Sequence, residues 1–255
     1  MKISVIIPAF NEELFLGNCL KALTDQSEKP YEIIVVDNNS TDKTRLVAKK
    51  FGVKLVKENK PGITAARNRG FNTAKGDIIA RTDADTIVGR NWIKRIHQDF
   101  ENHPDLLGLS GSARVEGIPK SIQYRNWTGT GFNQALHFAV MKQDVMFGFN
   151  LALTKKAWNL VKDEVCQNDK EVHEDVDLAI HLAAHGKVFY DEQLVVSTSP
   201  RRARNFESYF EYPYRYIKTI NKHKKLFGIE LSKTDLIKTR RMIEKQLDKL
   251  KTLPL

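Results

Sequence analysis

Cysteine is scarce in this chain: Cys19 and Cys166 are the only two in 255 residues, and no Cys-x-x-Cys spacing occurs. Neither a zinc site nor a disulfide framework is therefore suggested, and a reducing, cytoplasmic setting fits. Long apolar runs are absent too, since none approaches the roughly 20 residues that span a membrane. The N-terminal stretch Lys2–Phe10 has an apolar part of only about eight residues, contains Pro8 and leads into Asn-Glu-Glu, so it reads as a first strand and not a signal peptide. There is no internal repeat, no Walker A loop and no His-Glu-x-x-His helix, which removes solenoids, P-loop hydrolysis and zincin chemistry. Gly129-Thr130-Gly131 lacks a third glycine and follows no clear strand, so no dinucleotide fingerprint is present.

Acidic residues run short at one end. The net charge is +10, and from Pro200 to Leu255 there are 15 Lys and Arg against 6 Asp and Glu. The body is close to neutral and the tail is basic. With 41% hydrophobic and 28% charged residues the chain has an ordinary globular composition.

Ile3–Ile7 and Ile33–Val36 are short β-branched runs, the first stopped by Pro8 and the second by Asp37, and they read as buried parallel strands. After the first, Asn11 is expected to cap a helix with Leu16, Leu20 and Leu23 inward. After the second comes a polar loop and a helix carrying Leu46, Val47 and Phe51. Lys54–Val56 is a third strand, Pro61-Gly62 breaks the chain before a helix from Thr64 to Ala74, and Ile78–Ala80 is a fourth. Helices are expected over Asn91–Asn102, Lys155–Val161 and Asp175–Ala184, with strands at Leu106–Val115, Leu151–Leu153, Val188–Tyr190 and Leu194–Val196. A further helix from Lys233, capped by Ser232, ends the chain. Strand–helix alternation of this kind gives a parallel sheet covered on both faces, with ligands bound outside the carboxyl ends of the strands. Asp37 and the pair Asp83 and Asp85 both follow strands at that edge. Two hard oxygen ligands beside a crevice suit Mg²⁺ or Mn²⁺, which accept substrate phosphates as further ligands.

The order of motifs resembles an inverting, family-two glycosyltransferase of the GT-A fold. The matching pieces are Val5-Ile6-Ile7-Pro8-Ala9-Phe10-Asn11-Glu12, Val35-Val36-Asp37-Asn38-Asn39-Ser40-Thr41-Asp42, Ala66-Arg67-Asn68-Arg69-Gly70, Asp83-Ala84-Asp85, Gly148-Phe149-Asn150 and Glu174-Asp175-Val176-Asp177-Leu178. The resemblance covers roughly the first 200 residues. It implies a GT-A-type, Rossmann-like α/β domain over residues 1–200, with a mostly parallel central sheet and helices on both faces. Residues 201–255 form a basic, aromatic and helical C-terminal extension packed on or beside it.

By the same resemblance, Pro8, Asn11 and Glu12 wall the nucleotide, and Asp37 accepts a hydrogen bond from its base; the alternative for Asp37 is a helix cap. Arg67 lies near the nucleotide, paired with Asp37 or a phosphate oxygen, or is a solvated surface residue. Asp83 and Asp85 hold ribose and metal in this DxD motif, Asp85 more directly. Asp175 is the base that takes the acceptor's proton, with Glu174 second; the alternative is that these acids only favour a helix N-terminus. Gly148 and Asn150 lie where the family contacts donor sugar or acceptor. Trp127, Phe147 and Phe149 stack on a sugar or pack in the core. The chain departs from many relatives at Val195–Arg202, which lacks the histidine that completes their metal site. Arg201 and Arg202 are read as cations covering the diphosphate in its place.

The implied activity is transfer from a UDP- or GDP-linked sugar to a hydroxyl acceptor, metal-assisted, in cell-wall or polysaccharide assembly. A polyprenyl phosphate acceptor, or a non-catalytic nucleotide or polyanion binder with a degenerate site, are the alternatives. The basic tail with its interleaved tyrosines is expected to meet an anionic membrane surface or pack on the enzyme, not to bind nucleic acid, which places the protein in the cytoplasm or peripherally on the inner face of the membrane.

Overall fold

The structure is a computed structural model that describes residues 1–117, 144–201 and 214–223. Eight strands form one sheet: β1 (Ile3–Ala9), β2 (Glu32–Asp37), β3 (Lys54–Lys57), β4 (Ile78–Arg81), β5 (Thr86–Val88), β6 (Leu106–Val115), β7 (Leu151–Thr154) and β8 (Lys187–Thr198). Their order across the sheet is β3-β2-β1-β4-β7-β6-β8-β5. The β3-β2-β1-β4 half is parallel throughout. In the other half β7 runs antiparallel to both β4 and β6, β8 is parallel to β6, and β5 is antiparallel to β8. The helices are α1 (Leu16–Thr24), α2 (Thr44–Lys50), α3 (Ile63–Thr73), α4 (Trp92–Asn102), α5 (Lys155–Val161) and α6 (Glu174–His185). Residues 214–223 form a further helix, α7.

The alternation of a strand buried on both faces is visible in the two cores. Val5, Ile7 and Val35 pack on one side with Leu16, Leu20 and Leu23 of α1 and Trp92, Ile96 and Phe100 of α4. Ile6, Ile34 and Val36 pack on the other with Phe71 of α3, Trp158 of α5 and Leu178 and Leu182 of α6. Continuous apolar runs in β1 and β2 are what two covered faces require.

Most expected elements form, with three differences. Asn11 does not cap α1: it has φ 54°, and a turn in which Glu12 O accepts from Phe15 N and Leu16 N delays the helix to Leu16. Leu46 and Phe51 are exposed, because α2 turns Thr44 and Ala48 inward instead. The strand segments at Val188 and Leu194 are one long strand, β8, whose pairing with β6 slips between Gly111 and Ser112. The short strand β5 was unforeseen, since three residues leave no periodic signal. The expected elements at Ile122–Met141 and from Lys233 lie outside the described residues, as do Trp127 and Arg202. Among the described residues, no helix is long and apolar enough to cross a membrane.

Pro61-Gly62 does break the chain. Gly62 has φ 124°, a value L side chains rarely adopt, and a Cβ there would meet Asp169 Oδ2 at 2.1 Å. Asp169 Oδ1 accepts from Thr64 N at 2.9 Å, so a carboxylate from far along the chain satisfies a free N–H at the start of α3. On the same face Trp158 is 1% exposed, meets Phe71 edge-on at 5.1 Å and donates its indole N–H to Asn72 Oδ1 at 2.8 Å. Trp158→Ala is expected to lower unfolding free energy by about 3–5 kcal/mol in a urea titration, and Trp158→Phe by clearly less.

Candidate active site

Because β2, β1 and β4 are adjacent and parallel, their carboxyl ends open on one rim. Ala9 is in register with Asp37, and Ile6 with Arg81. The rim therefore receives the Phe10–Phe15 turn, the Asn38–Lys43 loop and the Thr82–Asp85 turn.

The first two segments are knitted together by backbone–side-chain hydrogen bonds. Glu12 N donates to Thr44 Oγ1 (2.7 Å), Glu13 N to Asp42 Oδ2 (3.0 Å), Thr41 N to Asn11 Oδ1 (2.8 Å) and Lys43 N to Glu13 Oε2 (2.9 Å). Asn11 and Asn39 both take positive φ, which asparagine tolerates because its short side chain bonds locally. Pro8 is buried within β1. Asp37 is fully buried; its Oδ1 accepts from Ser40 N at 3.2 Å, and Arg45 Nε stands 3.7 Å from Oδ2, which makes no hydrogen bond. Both readings of Asp37 thus have a basis: one oxygen braces the loop, the other is a buried acceptor without a donor.

The centre of the site is an arginine that the sequence reading passed over. Arg81, the last residue of β4, is buried among three carboxylates. Its Nη1 lies 2.5 Å from Glu174 Oε1 and 3.1 Å from Asp175 Oδ1, and its Nη2 lies 3.3 Å from Asp83 Oδ1. Arg67 of α3 completes the array: Nη1 donates to Glu174 Oε2 at 2.7 Å and to Glu174 O at 2.8 Å. Arg67 is therefore neither a surface residue nor a partner of Asp37; it holds the first turn of α6. Buried charges of this kind are tolerable only when paired. The available signal was an arginine closing a strand otherwise made of Ile-Ile-Ala.

These contacts separate the two acids. Burial opposes ionisation of Glu174, but Arg81 and Arg67 override it and hold that carboxyl below the usual range. Asp175 is pushed well above the ordinary aspartate value, first by burial and then by the neighbouring Glu174 charge, with Arg81 offsetting part of this. A carboxyl with raised proton affinity beside one held ionised is the pattern of a pair divided between a proton acceptor and a fixed charge. Asp175 Oδ2 also accepts from Gly148 N at 2.7 Å. A Cβ on Gly148 would stand 2.6 Å from both Arg81 Nη2 and Asp175 Oδ1, so only glycine allows this approach.

At the outer rim Arg201, just beyond β8, donates to Glu12 Oε2 (3.0 Å), Glu12 Oε1 (2.7 Å) and Asp85 Oδ2 (3.0 Å), and its guanidinium lies 4.8 Å from the Phe15 ring centroid. Burial raises the Glu12 pKa against the opposing pull of Arg201, with Asp85 and Asp83 adding to the rise. Asn150 does not join the rim. It is wholly buried, accepts from Trp92 Nε1 (2.8 Å) and donates to Ser112 O (3.0 Å) and Leu194 O (2.7 Å). Its amide thus locks β6, β8 and α4 together, which leaves nothing of it for sugar or acceptor in this conformation. Phe147 and Phe149 stack on each other at 5.3 Å, with Tyr190 edge-on to Phe147, so the aromatic pair packs as core.

Residues 4–158 match the family model described as glycosyl transferase family 2. The chain belongs to this family. Over 101 residues it is 37% identical to glycosyltransferase AglE of Haloferax volcanii, a stretch covering 36% of this chain and 33% of that protein. The chain spans about a third or less of the first curated relatives it matches. Among solved structures it is similar to the mannosyltransferase PcManGT of Pyrobaculum calidifontis in complex with GDP-Man and Mn²⁺, with a TM-score of 0.70, 20% identity, and coverage of 88% of this chain and 64% of that one. It is also similar to glucosyl-3-phosphoglycerate synthase of Mycobacterium tuberculosis in complex with Mn²⁺, UDP-Glc and phosphoglyceric acid, with a TM-score of 0.64, 18% identity, and coverage of 91% and 81%. These likenesses establish the GT-A fold for this family-two chain.

Gly148→Ala is expected to fold yet to lower turnover by roughly 10²-fold, because displacing Asp175 and Arg81 by a fraction of an ångström misaligns the site. Glu174→Gln is expected to move the acidic limb of kcat/KM to lower pH, since loss of its charge removes a cause of the raised Asp175 value. In the wild type that limb should stand above the ordinary aspartate range near 4, with activity rising as pH increases through it. A limb that stays in place in Glu174→Gln would separate Asp175 from the titration.

Proposed function

We propose that the chain transfers a glycosyl group, with inversion, from a UDP- or GDP-linked sugar to a hydroxyl acceptor. The observation that carries this reading is the Arg81 array, which joins Asp83 on the nucleotide side to Asp175 on the acceptor side. The nucleotide lies along the Pro8–Glu12 and Asp37 edge, with the unmatched Asp37 Oδ2 receiving a donor from the base. Asp83 takes a ribose hydroxyl. Asp175, aligned by Arg81 and the Gly148 N–H, accepts the proton of the attacking hydroxyl, and the first turn of α6 is held in place by Arg67.

Asp85, with Asp83, is the proposed seat of Mn²⁺ or Mg²⁺. The donor set fits, because both groups are carboxylates at a crevice. Five carboxylates (Glu12, Asp83, Asp85, Glu174 and Asp175) against the three guanidiniums of Arg67, Arg81 and Arg201 also leave an excess of two negative charges when all are ionised. When bound, such a cation neutralises the leaving nucleoside diphosphate. Arg201 competes with it for Asp85 in the free protein and turns to the diphosphate when donor binds. Arg202 is proposed to act beside it.

Cell-surface glycan assembly from the cytoplasmic side, with a glycan or lipid-linked acceptor and contact of the basic tail with anionic lipid, is the setting this chemistry suits. A polyprenyl phosphate acceptor would already carry an ionised oxygen and need no base. Asp175→Asn separates the two cases: loss of transfer by about 10²–10⁴-fold with donor binding intact supports a hydroxyl acceptor, and near-normal turnover removes it. Calorimetry of UDP and GDP with and without Mn²⁺, followed by donor turnover, tests the whole reading. Nucleotide binding that Mn²⁺ fails to strengthen, with no turnover of any donor, would leave a non-catalytic binder.

For Arg201→Ala, Mn²⁺ binding to the nucleotide-free protein should tighten, and the KM for donor should rise. If neither changes in calorimetry and steady-state kinetics, the competition at Asp85 is wrong.

A further inference from the structure

Behind the proposed base, on the other side of the first turn of α6, three side chains converge that the transfer chemistry does not use. Asp177 and His181 are one helical turn apart on α6, and His223 ends the described part of α7. All three are buried, at 0%, 7% and 6% exposure. His223 Nε2 lies 3.2 Å and His181 Nε2 3.9 Å from Asp177 Oδ1, and one ligand atom from each residue falls within a common 4.8 Å.

The outer edges of this cluster decide what its inner edges are. Asp177 Oδ2 accepts from Cys166 N at 2.8 Å, which fixes the carboxylate and leaves Oδ1 facing inward. His223 Nδ1 is 2.9 Å from the Thr219 carbonyl, which can only accept, so Nδ1 carries the hydrogen. His181 Nδ1 is 3.3 Å from Glu164 Oε2, again an acceptor, so its hydrogen also sits on Nδ1. In the neutral tautomer both Nε2 atoms then present bare lone pairs to the carboxylate oxygen. His181 Nε2 is buried without a hydrogen-bond partner, and within the cluster only the approach of His223 Nε2 at 3.2 Å is short enough for a hydrogen bond to Asp177 Oδ1. Lone pairs do not converge in a dry interior unless a proton or a metal ion stands among them, and a proton on His223 Nε2 would reach Asp177 Oδ1 but leave His181 Nε2 unmatched.

We propose that Asp177 Oδ1, His181 Nε2 and His223 Nε2 hold a Zn²⁺ ion, in a site separate from the rim carboxylates. Two imidazoles and one carboxylate are a borderline-soft donor set that favours zinc over the magnesium or manganese suited to Asp83 and Asp85. Ligand atoms around tetrahedral zinc stand about 3.3 Å apart, so the widest pair in the cluster needs to close by up to about 1.5 Å through side-chain rotation. Glu164 and the Thr219 carbonyl occupy the outer positions that normally orient metal-bound histidines. The ion bolts α7 to α6. Thr219 Oγ1, which accepts from His173 N at 2.6 Å, already clamps the residue before Glu174 and Asp175, so the metal acts by positioning and touches no substrate.

The test uses the full chain, purified without a polyhistidine tag and held in excess Mg²⁺ to occupy the rim. About one Zn²⁺ per chain is expected by elemental analysis after dialysis, with a rise in melting temperature on adding Zn²⁺ to chelator-treated protein. Co²⁺ should give the intense visible bands of a low-coordinate site. Zn²⁺ affinity should fall by at least about 10-fold in Glu164→Gln, a change at a half-exposed side chain that leaves the fold intact, and further in His181→Ala and His223→Gln. It should persist in Asp85→Asn. Three results each overturn the proposal: wild type that retains no Zn²⁺ and shows no thermal shift, which would mean that a proton on His223 Nε2 bridges the pair; binding unchanged in Glu164→Gln, His181→Ala and His223→Gln; or binding abolished in Asp85→Asn.

Discussion

A charged guanidinium at the end of a buried strand is the constraint on which the site depends. Removing Arg81 from water costs several kcal/mol unless partners surround it, and the fold supplies them from two directions. Asp83 comes from the turn after β4, while Glu174 and Asp175 come from α6, more than ninety residues later. Since the arginine cannot be left unpaired, α6 is held at the carboxyl end of β4, and Asp175 with it. Arg67 reaches the same helix turn from α3. Two buried cations thus define where the candidate base can stand, and Gly148 leaves just enough room for them.

The same array sets protonation. Glu174, between two guanidiniums, stays ionised, and its charge together with burial lifts Asp175. Adjacent residues of like chemistry end with opposite tendencies because one faces the arginines with both oxygens while the other shares one of them. At the rim the charge balance tilts the other way: Glu12, Asp83 and Asp85 outnumber Arg201, which is what an incoming cation requires. Position inside or outside the arginine array therefore distinguishes acids that look alike as letters.

Much of this was legible beforehand. Apolar runs stopped by Pro8 and Asp37, together with the Ile78–Ala80 run, located three parallel strands, and the strand-end acids Asp37, Asp83 and Asp85 were placed at one rim by the general behaviour of such sheets. Glu174 and Asp175 were legible as an acidic helix start. Asn150 was misjudged because an amide among aromatics reads equally as a ligand contact or as an interior brace, and only the distances to Trp92, Ser112 and Leu194 separate the two. Arg67 was expected near the nucleotide, beside Asp37 or a phosphate oxygen, or at the surface, because helix periodicity gives its face but not the helix that crosses it. The cluster of Asp177, His181 and His223 was invisible for a similar reason: two members share a helix face, but the third arrives from a segment forty residues away.

What the sequence alone determined is local and periodic: which runs are strands, which polar residues terminate them, and hence that acids gather at the carboxyl edge of a doubly covered sheet. The tertiary structure decided the pairings across that edge, namely that Arg81 and Arg67 embrace α6, that Arg201 closes on Glu12 and Asp85, and that Asn150 faces inward. The reason is physical. Strand and helix periods are written in neighbouring residues, whereas the state of a buried charge depends on whatever other segment of chain comes to lie against it.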